Sequence, residues 1–533
     1  MFPGCPYASD YVRETVLCGS TRKWRNMEEE KKDLNDDDVV IEEPKLKVIR
    51  SSLDNLPFGT VTEEDLKSRV KKAELPDGVN DKMIYGDVIR IAWPSFLEMV
   101  LAQLTSMADQ IMVGSLRGML GVQALSAVGL AGQPKFLLMT MMMSLNVGAT
   151  ALIARARGQQ DRAKANQIFK HALYINIVLA TLFMVVGVIW VTPIMRLCIG
   201  YGISDVTFEY AKQYFLIQMY GFVPLCCTFT ITATLRGIGD SRMPLIYNTT
   251  ANVVNVIFNY LLIYGKFGFP MLGVAGASLA TVIGQCTATT IAFIVILRKN
   301  RFISLRYHQK FKFNGDIIRN IVSIGFPALV EQLFMRAGQI IFTRIVASLG
   351  DIAYATHSIC MNIQAMSFMT GQSVGNASTT LIGQCLGKKR LDMAEIYARY
   401  SQRIGLILST CVGLLFIFAG KDIIWLYNKN EEVIRTGAQV LIMVGLIQPF
   451  QSMQFVRSGA LRGAGDTKFT MVLTFFTVMF CRTLVAYLCV RVWDIGLFGA
   501  WIAIVVDQIV RALVINERYK SGKWRAMRLR GEL

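Results

Sequence analysis

A chain of 533 residues that is 53% hydrophobic and only 18% charged, with 26 Met and 30 Phe, is too apolar for a string of soluble domains and takes lipid as its solvent. Its formal charge of +18 does not point to nucleic acid, because the Lys and Arg fall between apolar segments and form no continuous basic surface. Eleven Cys without CxxC spacing, several inside apolar runs (Cys226, Cys227, Cys286, Cys411), and three scattered His (His171, His308, His357) make neither a disulfide scaffold nor a zinc cluster.

Residues 1–82 form a polar tail. Its first 26 residues lack the apolar core of a cleaved signal peptide, so the first membrane helix does the targeting; Met27, ahead of an acidic run from Glu28 to Asp38, is an alternative start. The tail reads as mobile linker apart from a short helix over 62–72, with Thr62 as cap and Asp65 three residues on. Apolar segments of membrane length follow at about 87–114, 124–154, 169–190, 210–235, 243–264 and 274–297. A second set lies at about 317–346, 354–381, 400–419, 437–461, 469–490 and 496–514. So many runs of near-membrane length, with such weak polar faces, do not suit a soluble helical bundle.

The chain is a duplication. Leu235-Arg236-Gly237-Ile238-Gly239-Asp240 recurs as Leu461-Arg462-Gly463-Ala464-Gly465-Asp466, and the flanks recur in the same order. Pro94 and Glu98 match Pro327 and Glu331; Leu152, Ile153 and Gly158 match Leu381, Ile382 and Gly387; Gly273 and Gln285 match Gly496 and Gln508. Basic residues cluster after the second, sixth, eighth and last segments, including Arg155, Arg157, Arg298, Arg301, Lys388, Arg390, Arg518 and Arg525. The first and seventh segments end in short loops with only Arg117 or Asp351. By the positive-inside rule both termini are cytoplasmic, and an even number of helices per half makes the repeats parallel. The expected fold is an all-α polytopic membrane protein of about twelve transmembrane helices: a tail 1–82, a six-helix lobe 83–300, a cytoplasmic linker 301–316, a second six-helix lobe 317–516 and a basic tail 517–533.

An acid inside a membrane helix is a functional candidate by default, which selects Asp109. Glu98 lies eleven residues earlier, three turns with only about 20° of drift, on nearly the same face, with Pro94 and Gln103 on the same helix. Asn248, Asn252, Asn255 and Asn259 collect on one face of the fifth helix, as ion-site lining or interhelical hydrogen bonding. Glu331 is the acid of the seventh helix, where Arg336 and Arg344 offer an internal ion pair. Arg482 and Asp507 are expected to pair across two helices, a structural role. Met139 and Met366 stand for methionines that line an adaptable cavity or simply pack. In the repeated LRGxGD turns, Gly237 and Gly463 allow close approach. Asp240 and Asp466 cap a helix or pair with arginine, and Arg236 and Arg462 reach headgroups or helix-end carbonyls, which is architecture and gating. No GxxxxGK[ST] motif is present, so direct ATP drive is not expected.

The paired LRGxGD turns, the first-helix pattern from Pro94 to Asp109-Gln110-Ile111-Met112-Val113-Gly114, and the Ala149–Gly158 stretch resemble the multidrug and toxic compound extrusion (MATE) family. The resemblance covers about Asp81 to Glu517 and looks closest to the prokaryotic branch with the DNA-damage-inducible members; the long tail departs from it. It implies a V of two six-helix lobes in the cell inner (plasma) membrane. Such a protein exchanges H+ or Na+ for amphipathic organic cations by alternating access, as a monomer among membrane lipids, with no enzymatic chemistry and no cofactor beyond the coupling ion. In that pattern Asp109 takes the coupling aspartate's place, and Asn255, Asn259 and Thr281 supply oxygens for a proton site or a Na+ near Asp109. Asn259 is an amide where several members carry an acid, and no tenth-helix carboxylate accompanies Glu331, since that helix offers Gln448, Gln451 and Gln454 instead. Glu98, Gln103 and Glu331 are cavity candidates for a cationic substrate. The alternative is a flippase for a lipid-linked cell-envelope precursor.

Overall fold

The computed structural model describes residues 52–59, 75–116, 119–199, 204–298, 301–306 and 311–527; the helix expected over 62–72 lies outside them. The first repeat forms α1 (Asp81–Gly114), α2 (Met119–Gly158), α3 (Arg162–Ile189), α4 (Val191–Ile199), α5 (Asp205–Tyr220), α6 (Phe222–Gly237), α7 (Arg242–Tyr264) and α8 (Gly273–Leu297). The second forms α9 (Gly315–Ala347), α10 (Asp351–Gly387), α11 (Leu391–Tyr427), α12 (Glu431–Ala464), α13 (Thr467–Val492, with two wide-turn π stretches) and α14 (Gly496–Lys520). Among the described residues every long element is a helix.

Nine of these helices are long and apolar enough to cross a membrane, ten if α5 and α6 count as one bent span. That makes the chain an all-α, multi-pass membrane protein, and exposed apolar side chains such as Ile407, Phe418 and Leu446 suit a lipid-facing exterior. With the bent span included this is two short of the expected twelve, and the two long helices outside the set are α7 and α10. Four asparagines in α7 and buried polar residues of α10 such as Gln364, Ser367 and Gln384 lower their hydropathy.

Proline and glycine explain a second departure. The fourth segment, expected as one helix, breaks at Gly221 with a bend of 52°. Pro224 removes an amide donor and its ring meets the preceding turn. A Cβ at Gly221 would also run into Val282 and Gln285 of α8. In each LRGxGD turn the second glycine takes a left-handed backbone, φ 88° at Gly239 and 87° at Gly465.

One apolar core, built around Phe169, Ile231 and Tyr247, is drawn mainly from the first repeat and takes in Ile321 and Ile324 of α9; another, around Phe342, Val444 and Trp501, lies within the second. Between them α2 packs on α9 and on α10, and α10 on α1. The seam is two-fold in pattern. A Cβ at Gly158 would strike the Gln384 carbonyl, and one at the equivalent Gly387 would strike the carbonyl of Arg155, the residue equivalent to Gln384. Those two side chains in turn cross the seam. Arg155 Nη2 donates to the Ala464 carbonyl at 2.7 Å, and Gln384 Nε2 donates to the Gly237 carbonyl at 3.1 Å. Each repeat's second helix thus grips the LRGxGD turn of the other.

Gly158→Ala and Gly387→Ala are each expected to cost about 1–3 kcal/mol by forcing the backbones apart. Gly132→Ala, which adds a methyl to open space within α2, is expected to leave the thermal unfolding midpoint in detergent unchanged or higher.

Candidate functional site

Helices α1 and α7 pack together and carry acids and amides in matching steps. Asn248 Nδ2 donates to Glu98 Oε1 at 2.7 Å, and eleven residues on in both helices Asn259 Nδ2 donates to Asp109 Oδ1 at 2.5 Å. Asn259 also donates to Asn255 Oδ1 at 3.2 Å, Asn255 Nδ2 to Thr281 Oγ1 of α8 at 3.3 Å, and Thr281 back to the Ala277 carbonyl at 3.0 Å. The four residues expected at an ion site are therefore one connected group. Asn259 is fully buried, and its Oδ1 has no hydrogen-bond partner. An unpaired amide oxygen beside a carboxylate is costly unless a proton or cation visits it. Carboxylate, amide and hydroxyl oxygens are also the donors a hard monovalent cation takes.

Sequence reasoning missed the cation beside them. Lys135 of α2 donates through Nζ to Gln218 Oε1 of α5 at 2.5 Å. Gln218 Nε2 donates to Ser278 Oγ at 3.1 Å, and Ser278 to the Tyr214 carbonyl at 2.8 Å. Lys135 interacts electrostatically with Asp109, which sets this second chain of polar groups beside the first. The signal was available, since Lys135 is the single charge in the apolar run 124–154.

The corresponding positions of the second repeat are apolar. By the repeat offsets Asp109, Asn259 and Thr281 correspond to Phe342, Val485 and Ile504, and all three belong to the apolar core of that half. His357 sits there between the rings of Phe342 and Trp501, with centroids 5.5 and 5.6 Å away.

Glu98 and Glu331, expected along the cavity, are both held by the LRGxGD turns. Arg236 Nη2 meets Glu98 Oε2 at 2.7 Å, and Arg462 Nη2 meets Glu331 Oε1 at 3.0 Å, with Thr470 donating to the other Glu331 oxygen at 3.0 Å. Arg336, expected near Glu331, lies over the Phe136 ring of the first repeat, 3.9 Å from its centroid. The turn aspartates pair forward: Asp240 with Arg301 and Asp466 with Arg518, both at 2.9 Å, while Asp240 also accepts the Met243 amide at 3.3 Å. Asp507 takes Arg482, as expected, and Arg511 as well. Pro94 and Pro327 are buried, Gln103 and Met139 half-buried, and Met366 exposed.

A family model described as MatE matches residues 94–261 and, a second time, 327–488. The chain belongs to the MATE family. This MATE protein is 29% identical over 86% of its length to the probable multidrug resistance protein NorM of Thermotoga maritima, of which it covers 96%. It is 26% identical over 81% of its length to the uncharacterized transporter YisQ of Bacillus subtilis, covering 94% of that protein. Its fold matches a structure described as the outward-facing conformation of a multidrug resistance MATE family transporter of the MOP superfamily. The TM-score is 0.76 at 20% identity, over 83% of this chain and 97% of the other. A MOP superfamily transporter from Pyrococcus furiosus matches with the same TM-score at 21% identity, over the same shares of both chains. MATE proteins are transporters and not enzymes, and the matched stretches begin at Pro94 and at its repeat partner Pro327.

In this MATE chain Arg462→Met is expected to cost about 3 kcal/mol, because Glu331 stays buried without its cation. Adding Glu331→Gln is expected to recover most of that loss, read as a double-mutant cycle on unfolding in detergent micelles.

Proposed function

We propose that this MATE protein is a secondary active transporter that exports amphipathic organic cations in exchange for H+ or Na+, with Asp109 as the coupling group. The observation that carries the reading is the connected set Asp109, Asn259, Asn255 and Thr281, with Lys135 beside it and an apolar core at the corresponding place in the second repeat. The electrostatics suit exchange. With Asp109 ionised and Lys135 charged the pair is neutral; a bound proton or Na+ makes it net positive, which disfavours an organic cation nearby in a site of low dielectric. Loading and substrate then favour different conformations, the condition for antiport.

In this reading the repeats are two six-helix lobes, 83–300 and 317–516, that rock about the glycine seam with the basic loops and both termini cytoplasmic. Met139, Gln103 and Met366 are cavity-lining candidates, while the Glu98–Arg236 and Glu331–Arg462 pairs brace each lobe. Kinship with the DNA-damage-inducible members rests on sequence resemblance alone.

In proteoliposomes, an imposed H+ or Na+ gradient, each applied separately, is expected to drive a lipophilic cation against its own gradient. Asp109→Asn is expected to lower that exchange by about tenfold or more. Undiminished coupled transport in Asp109→Asn overturns the assignment, and movement of lipid-linked oligosaccharide without cation exchange favours a flippase.

A further inference from the structure

The polar segment ahead of α1 crosses the seam between the repeats. Ser52 donates its backbone amide to Asp87 Oδ2 of α1 at 2.9 Å and its hydroxyl to the same carboxylate. Ser52 Oγ also lies 2.5 Å from the Tyr397 hydroxyl of α11, which itself donates to Asp87 at 2.8 Å. Two residues on, Asp54 accepts two hydrogen bonds from Arg157 Nη2, at the end of α2, at 3.0 and 3.1 Å. Lys388, just past α10, donates to the Leu53 carbonyl, and its ammonium lies 5.3 Å from the Phe58 ring centroid. Asp87 and Arg157 belong to the first repeat, Tyr397 and Lys388 to the second.

Burial reinforces the polar contacts. Leu53 and Leu56 are 3% and 8% exposed, in one apolar cluster with Val88 of α1 and with Cys385 and Met393 of α10 and α11. Two buried leucines, an ion pair and a four-atom hydroxyl–carboxylate junction exceed what a passing polar tail makes. The contacts fall where α2 and α10 come together, at the ends marked by the basic loops. Any motion that parts the repeats on this face must first break them.

We propose that residues Ser52–Phe58 are an intramolecular latch that locks the two repeats together on this face, and that its release is required before the face can open. The seat recognises a short segment with a hydroxyl for Asp87 and Tyr397, two aliphatic side chains for the seam and an acid for Arg157. The occupant it fits is this chain's own tail. The consequence for turnover rests on the transport reading above; the consequence for access to the seam does not.

Cys385 reports the latch directly, since it is fully buried in the same cluster. In the full-length protein, with every other cysteine replaced, maleimide labelling of Cys385 in nanodiscs is expected to rise about tenfold or more in Leu53→Asp and in Ser52→Glu. The first buries a charge in the seam, and the second sets a carboxylate against Asp87. Gradient-driven efflux of a lipophilic cation is expected to speed up in the same variants. Pinning the segment, with Ser52→Cys and Tyr397→Cys joined by a reducible bis-maleimide in a background that otherwise lacks cysteine, is expected to stop efflux until the link is reduced. Thermal melts identify a variant that has merely misfolded, and the pinned protein tests the latch without any destabilising charge. Wild-type labelling of Cys385 in both folded latch variants, or full-rate efflux from the pinned protein, overturns the proposal. Raised labelling with no cation movement in any form, wild type included, instead supports the latch and counts against the transport reading.

Discussion

A charge taken from water into a helical membrane protein has to meet its counter-charge there, and this fold is arranged around that requirement. Each LRGxGD turn presents an arginine inward to the buried glutamate of its repeat's first helix and an aspartate onward to an arginine at or just past the end of its last, giving Glu98–Arg236 with Asp240–Arg301, and Glu331–Arg462 with Asp466–Arg518. The same turns also offer backbone carbonyls to the opposite repeat, through Gln384 and Arg155. One short motif, used twice, therefore ties each half to itself and the halves to each other. A motif whose sequence points to architecture and gating is in structure the junction of an ion-pair frame.

Within that symmetric frame the chemistry is one-sided. The frame residues match pairwise, but Asp109, Asn259 and Thr281 face Phe342, Val485 and Ile504 at the corresponding positions. At these positions the first repeat presents a carboxylate, an amide and a hydroxyl, and the second presents three apolar side chains. Duplication supplied two equivalent bundles, and divergence left a carboxylate at this position in one and a phenylalanine in the other.

Much of this was legible in the sequence, because repeats and intramembrane polar residues are strong signals in an apolar chain. The matches from Pro94 to Gln508 marked both halves, and the MATE resemblance named Asp109, Asn255 and Asn259, which hydrogen bonds join in one group. What stayed hidden depends on contacts distant in sequence. Lys135 has no acid on its own helix to mark it, and its partners Gln218 and Asp109 lie on other helices. The break at Gly221 follows from the close approach of Val282 and Gln285 as well as from Pro224, and the first of these has no local signature. The docking of Leu53 and Leu56 was invisible because two leucines in a polar tail form no periodic pattern; only the seam gives them a place to go.

The central claim is that occupancy at Asp109 changes how the two repeats are set against each other. Ser115 and Ser348 are exposed repeat equivalents at the ends of α1 and α9, so spin labels at Ser115→Cys and Ser348→Cys, in an otherwise cysteine-free protein in nanodiscs, report that setting. Double electron–electron resonance is predicted to give a distance distribution that shifts between populations on acidification or on adding Na+, and to lose the shift in Asp109→Asn. A distribution that ignores both ions, or that shifts equally without the Asp109 carboxylate, would contradict the account.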